Sequence, residues 1–162
     1  MTIVNPALKI KEYYESPKYN DCDCFHNKCN ENRCEVVGAT NRSFIILNGD
    51  EIKIPHDPNE DSADCIFIKH NFENEKIKII IVELKSSRCK LDKLKRKFQY
   101  TGSRILDTFK ERGLDEPILK FVFLGKLESH ARKVKNYNLI RVKSKLKTFK
   151  VKNCGVHINE LF

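Results

Sequence analysis

Residues 76–87 read KIKIIIVELKSS. Ile79, Ile80, Ile81 and Val82 form an unbroken β-branched run inside a very polar chain. A run of this length and branching predicts a buried strand, because such residues pack well on a pleated surface. It ends in Glu83, Leu84 and Lys85 rather than fading into a turn. Side chains alternate along a strand, so Glu83 and Lys85 share a face with Ile79 and Ile81, and Leu84 points the other way.

Upstream, EVVG (35–38), RSFIILNGDEIKIP (42–55) and ADCIFIKH (63–70) read as strands, and NGD (48–50) fits a hairpin turn. NFENE (71–75) turns the chain into the long strand. Downstream, Leu91, Leu94, Phe98, Ile105 and Phe109 recur at helical spacing over about 89–112, stopped by Gly113. ILKFVFL (118–124) reads as another buried strand, 126–135 as a short helix, and 138–152 as a basic hairpin. A further short helix is expected at 6–15, between Pro6 and Pro17. This order predicts one domain over 1–162 of α/β or α+β class, a mixed central sheet flanked by helices. Its parts are a Cys-rich loop (20–34), a core (40–125) and a basic C-terminal extension (126–162).

The net charge of +9 is unevenly spread. Residues 1–84 carry 10 Lys/Arg against 15 Asp/Glu, whereas residues 85–152 carry 21 against 6. An acidic front beside a strongly basic back suits a protein that holds cations in one place and a polyanion next to them. A lysine-rich solvated surface is the plain alternative. No apolar stretch approaches membrane-spanning length and the N-terminus has no signal-like apolar region, so the cytoplasm and no membrane partner are expected.

Asp64 opens the apolar run ADCIFI and shares a face with Ile66 and Ile68. If this strand pairs antiparallel with 77–85, Asp64 stands beside Glu83 and Lys85. Two carboxylates can hold a hard divalent cation such as Mg²⁺ or Mn²⁺, which also takes water and phosphate oxygens. A neighbouring lysine can orient the attacking water or stabilise the oxyanion that forms. A Glu-x-Lys pair at a strand end also arises as a solvated ion pair with no function.

On Asp64 and Glu83-Leu84-Lys85, followed by an amphipathic helix, the chain resembles the PD-(D/E)xK nuclease superfamily over about residues 40–125. The resemblance implies a restriction-endonuclease-like core and metal-dependent hydrolysis of DNA phosphodiesters, with RNA not excluded. It makes Asp64, Glu83 and the Leu84 carbonyl metal ligands and sets Lys85 at the attacking water. Family members often aim a Gln or Lys from the next helix at the site, and Gln99 is the best match, with Lys95 beside it. Ala63 replaces the eponymous proline, and Ser103 breaks the QxxxY spacing of the RecB-like branch. Glu12 and Glu15 are candidates for an additional first-helix acid. The different-class alternative is a non-catalytic nucleic-acid-binding or assembly protein on the same fold. A homodimer is one of the open assemblies.

Lys93, Lys97, Tyr100 and Arg104 fall on one helix face, flanked by Lys90 and Arg96, and can track phosphates. The tail 130–152 carries 9 Lys/Arg in 23 residues, including Arg132, Lys133 and Lys135, and is the better candidate for nucleic-acid contact. Cys22, Cys24, Cys29 and Cys34, with His26 among them, crowd a loop whose main apolar residue besides the cysteines is Phe25. Structural Zn²⁺, disulfides and an iron–sulfur cluster are all open ways to order it. Cys65, Cys89 and Cys154 read as ordinary, and no thiol is marked as an activated nucleophile.

Overall fold

The structure, a computed structural model, describes residues 30–31, 34–38, 45–48, 62–71 and 76–162. The apolar runs become strands: β3 (Ile45–Asn48), β4 (Cys65–Asn71), β5 (Lys76–Cys89) and β6 (Ile118–Leu127). The basic tail supplies β7 (Leu139–Val142) and β8 (Lys145–Lys152), which form the expected antiparallel hairpin. Two short strands, β1 (Asn30–Glu31) and β2 (Cys34–Glu35), pair with each other. One α-helix, α1 (Leu91–Glu111), is present among the described residues. The expected helix at 6–15 and the NGD turn lie outside them.

The architecture is mixed α+β. Six strands form one sheet in the order β3-β4-β5-β6-β8-β7. Neighbours are antiparallel from β3 to β5, parallel from β5 through β6 to β8, and antiparallel again at β7. The parallel step from β5 to β6 requires a crossover, and α1 provides it. α1 lays Leu94, Phe98, Ile105 and Phe109 against Ile79, Ile81, Phe121 and Phe149. Gly102 permits the close approach, since a Cβ there would stand 3.0 Å from Phe121 and Val142 side chains. The alternate residues Ile80, Val82 and Leu84 face the other way, into a second cluster closed by Ile158 and Leu161. The period of two therefore runs through β5 as its alternation predicts, with Glu83 on the α1 side.

Two expectations are corrected. Residues 126–135 do not form an α-helix: β6 continues to Leu127, and only a 3₁₀ turn follows at Ala131–Lys133. Gly125 carries the strand past the point where it would otherwise stop. Leu84 pairs with Leu124 and Arg88 with Lys126, so three residues of β5 bulge against one of β6. That one is Gly125, whose φ of 144° and approach to the Lys85 carbonyl exclude a side chain; a Cβ would lie 2.5 Å from that oxygen. Gly125→Ala is expected to cost about 3 kcal/mol in urea unfolding, a strained backbone plus a backbone clash. A loss under ~0.5 kcal/mol would mean that the bulge rearranges freely.

The cysteine pattern is the second correction. Cys34 is disulfide-bonded to Cys154, 120 residues away, and Cys65 is disulfide-bonded too. Cys34 is thus taken out of a four-thiolate zinc set, and Cys154 and Cys65 are not ordinary thiols. Cys22, Cys24 and Cys29 lie outside the described residues. The bridge fastens the C-terminal segment to β2, where Val37 N–H donates to the Val156 carbonyl at 2.9 Å and Ile158 N–H to the Val37 carbonyl at 2.8 Å. Disulfides of this kind belong to oxidising compartments and to intracellular proteins of hyperthermophiles. No helix among the described residues is long and apolar enough to cross a membrane.

Candidate active site

The register of β4 against β5 pairs Cys65 with Val82, so the next positions along each strand are Asp64 and Glu83. Asp64 is half-buried, and its Oδ2 accepts a hydrogen bond of 2.7 Å from Leu84 N–H. That bond ties the start of one strand to the Glu-Leu-Lys end of the other. Just before Asp64, the buried Ala63 N–H donates to Thr101 Oγ1 at 2.8 Å, anchoring the entry to β4 on α1. Thr101→Val removes the acceptor without changing shape and should cost about 1–3 kcal/mol in urea unfolding. Thr101→Ser should restore most of it; equal losses in both would show that the methyl, not the hydroxyl, matters.

Glu83 is 1% exposed, on the face of the sheet whose cluster is built mainly of Ile, Leu and Phe. A carboxylate cannot be carried there alone, because desolvation penalises the charge. Lys97 answers it, its Nζ 2.5 Å from Glu83 Oε1. This overturns the expectation that Lys97 belongs to an outward basic face with Lys93. Lys97 stands about 100° around the helix from Phe98, at the edge of the buried stripe. From there its stem reaches the sheet, leaving the side chain only 16% exposed.

Gln99 stands about 200° around α1 from Lys97, on the opposite flank of the stripe. The side chain that the next helix brings to Glu83 is therefore Lys97 rather than the expected Gln99 or its neighbour Lys95. Lys85 is half-buried on the bulge, with its carbonyl against Gly125 and 3.9 Å from Cys154 Sγ. Cys89, the free cysteine among the described residues, lies within electrostatic reach of the whole group. Burial, followed by the Glu83 carboxylate, pushes its thiol up, against the opposing pull of Lys85, Lys97 and Lys93. A thiol held up in this way stays protonated and is no nucleophile.

Of the other basic candidates, Lys93 is exposed, Arg104 is half-buried, and Arg132, Lys133 and Lys135 are exposed around the 3₁₀ turn. Among the described residues no three His, Cys, Asp or Glu side chains converge as a metal cage. The residues brought together are thus Asp64, Glu83, Leu84 and Lys97, with Lys85 on the same strand end. Sequence reasoning missed the roles of Thr101 and Gly125. The signals were there: a threonine four residues after Lys97, and a glycine closing an apolar run. Comparison of the chain with protein-family models, with curated proteins and with solved structures finds no match.

Proposed function

We propose that the protein is a metal-dependent nuclease that hydrolyses DNA phosphodiesters through Asp64, Glu83 and Lys85 on a restriction-endonuclease-like core. The observation that carries this reading is the joining of Asp64 to the Glu83-Leu84-Lys85 strand end through the Leu84 amide. The donor set suits Mg²⁺ or Mn²⁺: two carboxylate oxygens from adjacent strands, and a buried Glu83 that already requires a cation. Such ions need only one or two carboxylates when water and substrate oxygens complete the shell. Asp64, Glu83 and the Leu84 carbonyl would hold the ion, which would acidify a bound water and neutralise charge on the phosphate.

The chain's own groups do the rest. Leu84 N–H aims the Asp64 carboxylate, and Thr101 steadies the residue before it. Lys97 keeps Glu83 charged and oriented. Lys85 is the group that turns the attacking water and stabilises the oxyanion. Cys89 stays protonated beside them and adds no competing charge. The deciding experiment incubates the protein with plasmid, single-stranded and branched DNA in Mg²⁺ or Mn²⁺, with EDTA as control. Metal-dependent nicking is expected; none on any substrate, or undiminished cleavage in EDTA, rejects the reading.

The burial of Glu83 and its ion pair with Lys97 favour a second reading, a nucleic-acid-binding protein that keeps the fold without cleaving. Binding of DNA without metal-dependent nicking in the same assay would select it.

A further inference from the structure

The three parallel strands β5, β6 and β8 all end on the same side of the sheet, the side where open α/β sheets carry their ligands. A groove of about 470 Å³ opens there. Its walls include Arg88 from β5, Gly125 and Lys126 from β6, Arg132 from the 3₁₀ turn, and Lys152 and Asn153 from the end of β8. Among the described residues four cations line it and no carboxylate does. None of the four makes a salt bridge with another described residue, whereas the lysines of the β7–β8 turn are answered: Lys143 by Asp107 at 2.6 Å and Lys145 by Glu116 at 2.9 Å. A neighbouring groove beyond α1's first turn mixes Lys90, Lys93 and Arg96 with Asp92 and Glu128. Gathering four like charges costs self-repulsion that a bound polyanion relieves.

We infer that the groove of Arg88, Lys126, Arg132 and Lys152 is the phosphate-backbone track for a nucleic-acid strand. The outward face of α1 is then not the main contact. Two features favour a strand over a single phosphate. The cations come from four separate segments and line a groove of about 470 Å³, far more room than one phosphate ion fills. Gly125 in the groove wall abuts the Lys85 carbonyl on the bulge of β5, so a strand lying in the groove passes beside the Glu83-Leu84-Lys85 segment. The inference names the substrate path of the proposed nuclease, and it rests on the nucleic-acid part of that reading alone.

The test is fluorescence anisotropy with labelled single-stranded and duplex DNA and RNA in EDTA, over a range of salt. Lys126→Ala/Lys152→Ala is compared with Lys110→Ala/Lys120→Ala, which removes the same charge at the far end of the molecule. The groove variant should bind about tenfold more weakly and lower the log–log salt slope by about two, against a change under about twofold in the control. Equal weakening in both variants would overturn the inference in favour of diffuse charge. So would unchanged binding in the groove variant. Loss of pyrophosphate binding with oligonucleotide binding intact would make the groove a small-phosphate site and also overturn it. Because EDTA suppresses cleavage, a protein that binds through the groove but never nicks DNA rejects the nuclease reading and leaves this one standing.

Discussion

Glu83→Gln is expected to lower metal-dependent DNA cleavage about a thousandfold or more, which corresponds to roughly 4 kcal/mol of lost transition-state stabilisation. The amide keeps the shape of the side chain but removes the charge that would hold a divalent ion in the proposed mechanism. Asp64→Asn should do the same from the neighbouring strand. Lys85→Ala should leave Mn²⁺ binding largely intact and still remove most of the rate, because the proposed mechanism sets it at the water rather than at the ion. Single-turnover rates and metal titrations separate the two effects. Full activity in Glu83→Gln would end the two-carboxylate mechanism. Stability should move little: the orphaned Lys97 is 16% exposed and can extend to solvent, a cost of about 1 kcal/mol.

The opposite truncation is far more severe. Lys97→Met leaves a carboxylate that is 1% exposed facing an apolar layer, and breaking a buried pair from one side costs about 3 kcal/mol. Glu83→Gln combined with Lys97→Met should recover most of that loss, since no uncompensated charge remains. A double-mutant cycle in urea reads the coupling directly. Additive single effects would show that the two groups do not depend on each other, and the account of Glu83 burial would fall.

Much of the frame was legible in the residues. The run Ile79–Val82, the helical spacing from Leu91 to Phe109 and the run at 118–124 each state one period strongly enough to name an element. Alternation alone put Glu83 on one face with Ile79 and Ile81, away from Leu84. What alternation cannot state is how far a helix is rotated about its own axis when it lands on a sheet. Lys97 and Gln99 both border the apolar stripe, and only the crossover packing of Phe98 on Phe121 and Phe149, with ring centroids 5.4 and 5.6 Å apart, decides which one faces Glu83. Local crowding of cysteines suggested local partners for Cys34, yet its partner is 120 residues away. Connectivity among seven cysteines is a property of the folded topology, not of spacing. The unpaired groove escaped notice for the same reason: Arg88, Lys126, Arg132 and Lys152 are unremarkable singly and meet only because three strands end together.

The position of β8 has a consequence for how the chain is made. Among the described strands it is the last to be synthesised, yet it lies between β6 and β7. While a ribosome is still adding residues beyond 127, the meander β3-β4-β5 can already pair, but the outer edge of β6 stays bare. That edge carries Phe121, Val122, Phe123 and Leu124, an apolar run with its backbone donors and acceptors exposed. Until Lys145–Lys152 emerges and slots in, two nascent chains on one message can join at this edge as readily as one chain can close on itself. The dense lysines of β8 and its flanks then do a second service, since a highly cationic closing strand is repelled by its own copies and pairs within its own molecule.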